Sequence, residues 1–170
     1  MSDDLRIRFA TPDDATTILD FIRGLAVFER EPVDRVRAAP EDLVRDGFGD
    51  HPLFEILLVE RRDGATLRPI GFALFFPHYS TWEGRPGLYV EDLFIVESER
   101  RRGAGRALLA ALARIAHERG WSRIDLSVLD WNPARSFYEA HGMVHQAEWL
   151  SYRMEAEGIA RLAAEAPRVE

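Results

Sequence analysis

The 170-residue chain predicts a single α/β domain with a mixed, mostly antiparallel central sheet and flanking helices, and three observations carry that reading. Two apolar runs at 54–60 and 70–76 are joined by a polar segment holding Asp63 and Gly64, and a third run follows at 88–96, the pattern of an antiparallel meander. That third run passes through a glycine turn into an alanine- and leucine-rich segment at 105–119 and then a fourth apolar run at 124–129, so strand, helix and strand make a parallel crossover. Before the meander, an alternating run at 5–9 meets Thr11-Pro12-Asp13-Asp14, which supplies an N-cap, a proline at the first helical position and acids in the first turn.

From that cap a helix is expected to about Arg30, because Ile18, Leu19, Ile22, Leu25 and Ala26 recur at helical spacing. A short second helix begins at Pro40 and should end at Gly47, Gly49 and Pro52, after an acidic connector holding Glu29, Glu31 and Asp34. In the segment at 105–119, Leu108, Leu109, Leu112 and Ile115 form a buried stripe, and Gly120 is placed as its C-terminal cap. Asn132 and Pro133 open another helix reaching Ala140, where Gly142 stops it. Residues 145–154 read as a final strand or hairpin arm and 158–166 as a C-terminal helix. No repeat, low-complexity tract or linker divides the chain, so one domain over residues 1–170 is expected.

The composition narrows the function classes. A net charge of −7 disfavours nucleic acid as a partner and favours small cationic ligands. No segment has the length and apolarity of a membrane span, and the acidic Met1-Ser2-Asp3-Asp4 start lacks the form of a secretion signal, so a cytoplasmic protein is expected. Cysteine is absent, which removes thiolate metal sites and covalent cysteine chemistry. His141 and His145 stand four apart, but Gly142 lies between them at a helix end, so no metal site is expected there.

Chemistry concentrates between residues 90 and 106. Glu91 and Asp92 interrupt a run that otherwise reads as buried sheet, and a carboxylate there carries a desolvation cost. After it comes Arg100-x-x-Gly103-x-Gly105, where two glycines let backbone N–H groups turn toward an anion and the helix beyond adds unpaired donors and the positive end of its dipole. A Walker A loop fails, since Arg106 and Ala107 follow Gly105 in place of Lys and Ser or Thr. A dinucleotide fingerprint would gain from Asp125, but Leu108 stands at its third small position.

The arginine-led glycine pattern, with strand before and helix after, resembles the acetyl-coenzyme A loop of the GNAT superfamily of N-acetyltransferases. The likeness extends over nearly the whole chain to the spermidine/spermine (diamine) and thialysine branch, through DGFGDHP at 46–52, YSTWEGR at 79–85, LYVEDLF at 88–94 and VLDWN at 128–132. It implies a sheet split at its centre, with acetyl-CoA between two splayed parallel strands, 88–96 and 124–129. It implies that Arg100, Arg101, Arg102, Gly103, Ala104, Gly105 and Arg106 form the pyrophosphate loop, and that a backbone N–H among Leu93, Phe94 and Ile95 polarises the thioester carbonyl. A homodimer is implied as well.

An alkyl amine of pKa about 10.4 is protonated at neutral pH, and freeing its lone pair costs roughly 4.6 kcal/mol at about 1.36 per pKa unit, so a base is required. The resemblance makes Glu91 that base, with Asp92 a second acid for a substrate amine. Phe137-Tyr138-Glu139 resembles the segment whose tyrosine protonates the departing thiolate, which makes Tyr138 the acid. The spacing from Asn132 to Tyr138 is one residue shorter than in many relatives, so Asn132 transfers less securely to the cofactor site. Glu29, Trp82 and Trp149 match positions of the amine pocket, where two aromatic faces and a carboxylate suit a cationic chain. Ser80 and Thr81, where the polyamine enzymes carry an acid, tilt the choice toward a lysine-like amine. The alternatives are a protein N-terminal or side-chain acetyltransferase and a non-catalytic acyl-CoA sensor.

Overall fold

The computed structural model describes residues 4–167, so the start read at Met1 to Asp3 lies outside the described residues. The chain forms two compact units, residues 1–132 and 133–170. In the first, the elements run β1 (Leu5–Phe9), α1 (Ala15–Phe28), α2 (Pro40–Phe48), β2 (Glu55–Asp63), β3 (Thr66–Ser80), β4 (Arg85–Ile95), α3 (Ala104–Glu118) and β5 (Ile124–Leu126). The second holds α4 (Ala134–Ala140) and α5 (Ala156–Ala163).

Five strands lie in chain order, with β1 to β4 antiparallel and β4–β5 parallel. One face packs on α3 through Leu57, Val59, Phe75, Leu88, Val90, Leu108 and Leu112. The other packs on α1 and α2 through Ile18, Leu19, Phe21, Leu43, Leu58, Phe72 and Phe94. Each fully buried aliphatic or aromatic side chain contributes about 1.5–3 kcal/mol, so the two layers hold the sheet from both sides. Gly71 is required where β3 crosses β4, because a Cβ there would lie 2.3 Å from the Phe94 carbonyl oxygen.

The start of α1 follows from its sequence. Asp14 accepts hydrogen bonds from the Thr11 backbone N–H at 2.8 Å and the Thr11 hydroxyl at 2.9 Å, and takes both ends of the Arg8 guanidinium at 2.7 and 2.8 Å. Those bonds to Arg8, against the opposing effect of burial, hold the Asp14 carboxyl at about 2.

Several expected boundaries move. The hairpin strands are longer than expected, and their turn tightens to Gly64 and Ala65. The strand expected at 124–129 pairs only over Ile124–Leu126, and the parallel pair lies at the sheet edge, not at its centre, because among the described residues no strand lies beyond β5 in the sheet. Residues 145–154 form no strand, and Trp149, Leu150 and Tyr152 are exposed. No described helix is long and apolar enough to cross a membrane.

Candidate functional site

The parity of β4 changes at Glu91. Phe75 pairs with Val90 and Leu74 with Asp92, so Glu91 is the extra residue of a β-bulge. Before the bulge Leu88 and Val90 face the α3 layer; after it Leu93 and Ile95 do. Glu91 and Asp92 are therefore both turned to the α1 face, where strict alternation would have separated them. Asp92 is largely buried there, and its carboxyl is pushed up to about 6 by burial first, then by the neighbouring charges of Glu91 and Glu29. Glu29, just past the end of α1, is itself raised by burial and by Glu31. Three carboxylates from two elements thus share one field, and such a site is complementary to a cation.

The same bulge opens a backbone edge. Leu88 donates its N–H to Arg123 on the β5 side, and Val96 donates to Ile70 on the β3 side. Alternation back from Val96 turns Phe94 toward β3 and points the N–H groups of Leu93 and Ile95 to the other side, where β5 pairing has already ended at Val90 and Leu126. Leu93 and Ile95 hence present donors along an unpaired edge, while Phe94 sends its ring into the core beside Phe21.

The loop beyond is shaped from both ends. Arg100 donates through Nε to the Ile95 carbonyl at 2.9 Å and lies 4.1 Å over the Phe28 ring, so its side chain folds back onto β4 and α1. Arg101 and Gly103 take positive φ values of 58° and 86°. The first helical bond of α3 runs from Ala107 to Gly103, so the N–H groups of Ala104, Gly105 and Arg106 precede it. These donors at a helix N-terminus fit a diphosphate, and acetyl-CoA would be held by them and by the Leu93 edge. Arg102 turns the opposite way and bonds the buried Glu99 at 2.8 Å, which also holds Arg61 at 2.6 Å and Arg68 at 2.8 Å. Burial pushes the Glu99 carboxyl up, but the three arginines outweigh it and keep it below its ordinary value. Glu99 carries no signal in the sequence, because its burial depends on segments far apart in the chain.

The remaining expected residues lie on other elements. Trp82 lies in the β3–β4 turn, roughly 20 Å of extended strand from Asp92. Asn132 is buried at the end of the first unit, its N–H bonded to Leu129. In the second unit, Tyr138 is partly buried on α4 with its ring 5.3 Å from Phe137, and Gly142 ends the helix at φ 88°. Trp149 is exposed in the same unit. Asp125 sits with Arg123 at 2.7 Å and His78 at 2.9 Å, both approaches to Oδ2 lacking hydrogen-bond alignment. Among the described residues no group of three or more His, Asp or Glu side chains is arranged to hold a metal.

Comparison with known proteins decides the family. The profile of the Acetyltransferase (GNAT) family matches residues 21–143, across the loop, the bulge and α4. The chain belongs to that family. This acetyltransferase is 34% identical to the thialysine N-epsilon-acetyltransferase of Mus musculus over 93% of its own length and 96% of the relative's. It is 32% identical to an L-ornithine N5-acetyltransferase of Arabidopsis thaliana, over 91% and 86% of the two chains. Among solved structures, an integron cassette protein from V. cholerae matches with a TM-score of 0.76 at 24% identity, covering 94% and 98%; this likeness shows the fold.

Proposed function

We propose that the whole chain acts as one catalytic domain that transfers an acetyl group from acetyl-CoA to the primary amine of a small cationic acceptor, a lysine-like amine or polyamine, by direct attack in a ternary complex. The observation that carries this reading is the pair Glu91 and Asp92 on one face of the bulged strand, with Glu29 from the end of α1 in their field, beside the unpaired edge at Leu93 and Ile95.

Acetyl-CoA supplies an activated acetyl group. The residues of the chain do the rest. The N–H groups at 101–106 hold the diphosphate, with Arg100 shaping the turn. The Leu93 N–H orients and polarises the thioester carbonyl. Asp92 and Glu29 hold the cationic acceptor, and Glu91 accepts the ammonium proton, directly or through one water. As the nitrogen forms its bond to the acetyl carbon and the carbon–sulfur bond breaks, Tyr138 gives its proton to the sulfur. The roles of Tyr138, Asn132, Trp82 and Trp149 rest on the family resemblance of their segments. A cytoplasmic homodimer is proposed on the same ground.

Thiol release from acetyl-CoA, measured with spermidine, putrescine, thialysine, lysine and a small peptide, tests the reading. Release with one or more of the small amines is expected. Turnover of the peptide alone points to a protein acetyltransferase, and coenzyme binding without release under any condition points to a sensor; either result overturns the proposal.

A further inference from the structure

Among the described residues, three helices end with a residue in the left-handed region: Gly120 after α3, Gly142 after α4, and Arg30 after α1 at φ 64°. At α1 the closing bonds run from Glu31 to Ala26 at 2.9 Å and from Arg30 to Val27 at 3.1 Å, a Schellman ending whose left-handed position ordinarily belongs to glycine or asparagine. A β-carbon is disfavoured there, so an arginine calls for an explanation.

Its side chain supplies one. The Arg30 guanidinium stacks 4.0 Å over the ring of Trp131, a residue on the segment that follows β5. Arg30 is exposed and makes no ion pair among the described residues, since the adjacent Glu31 is taken by Arg35 and Glu29 faces Asp92. The last residues of this helix end reach three other segments of the first unit. Phe28 lies under Arg100 at the end of β4, Glu29 lends its charge to Asp92, and Arg30 reaches Trp131. A guanidinium without an ion pair among the described residues therefore stands next in the chain to Glu29, whose charge reaches Asp92. Stacking covers one face of the guanidinium and leaves its N–H fork open, the geometry that receives a carboxylate with two parallel hydrogen bonds.

We propose that Arg30, seated on Trp131, is a specificity residue that binds the carboxylate of the acceptor, so that this site takes the side-chain amine of an amino acid in preference to a simple diamine or polyamine. The inference rests on the acceptor pocket proposed above. An amino acid with a terminal amine places its ammonium on Glu29 and Asp92 and its carboxylate on Arg30. A diamine of the same length lacks that carboxylate, so its second ammonium faces the guanidinium uncompensated, and like charges repel.

The test compares L-lysine with cadaverine, and L-ornithine with putrescine, pairs that differ by the carboxylate. Arg30→Gly is the informative variant, because glycine suits the left-handed backbone and the protein should melt no lower than wild type. Losing the carboxylate contact should raise KM for the amino acids about ten-fold or more, with kcat within about two-fold and diamine KM unchanged or lower. Arg30→Lys should restore part of the discrimination. An equal change for both members of a pair, or no change for either, overturns the role of Arg30 while leaving the acceptor pocket standing. Wild-type enzyme that acetylates none of the four overturns both.

Discussion

Asp92 is a side chain whose surroundings change its chemistry. Folded, its carboxyl titrates at about 6, against an ordinary 3.8, because burial and the charges of Glu91 and Glu29 disfavour the anion. The folded chain then binds more protons than the unfolded one between those values, so stability rises as pH falls from about 6 toward 4, and the ionised carboxylate costs about 3 kcal/mol above that window. Asp92→Asn should stabilise the protein by about 1–3 kcal/mol at pH 7.5 and by little at pH 4, as read from urea unfolding at the two values. Glu91 makes a kinetic prediction. If it takes the acceptor proton, Glu91→Gln should slow turnover by about 100-fold or more at neutral pH and by less at high pH, where free amine is already present. A pH–rate profile parallel to that of the wild type would remove it from the base role.

At the scale of elements, the loop between β4 and α3 is braced from behind. Glu99 has a side chain only 5% exposed and joins Arg61 of β2, Arg68 of β3 and Arg102 of the loop. Removing the carboxylate would leave the largely buried Arg61 uncompensated, so Glu99→Ala should lower stability by about 3–5 kcal/mol in denaturant unfolding, and Glu99→Gln by less. A loss under about 1 kcal/mol would mean that the cluster is solvated. The bulge is the other element with a functional consequence. It turns two adjacent acids to one face and frees the Leu93 and Ile95 edge in the same step.

Over the whole molecule, the net charge of −7 and the acidic pocket should draw a cationic acceptor from solution. Its KM should rise severalfold, roughly two- to five-fold, between about 20 and 200 mM salt, while kcat holds, because the Debye length shrinks across that range. A salt-independent KM would show that short-range contacts alone hold the amine.

Much of this was legible in the residues. The cap at Thr11, the glycine ends of α3 and α4, the meander and the arginine-led glycine turn are local patterns, each set by backbone freedom or by hydrophobic period within a few residues. Long-range pairing was not legible. The strand expected at 145–154 is not part of the sheet, and Trp82, within the motif at 79–85, stands at the far end of β4 from Asp92.

The sequence by itself determined the order of elements from β1 to α4, the position of the glycine turn before α3 and the family, because those depend on neighbours in the chain. Tertiary structure decided that Asp92 is the more deeply set of two adjacent acids, that Leu93 and Ile95 rather than Phe94 offer free donors, that Glu99 anchors the loop, and that Arg30 meets Trp131. The physical reason is register. One extra residue in a strand reverses which side chains and which N–H groups face each way, and that insertion is visible only once β3 and β4 are paired.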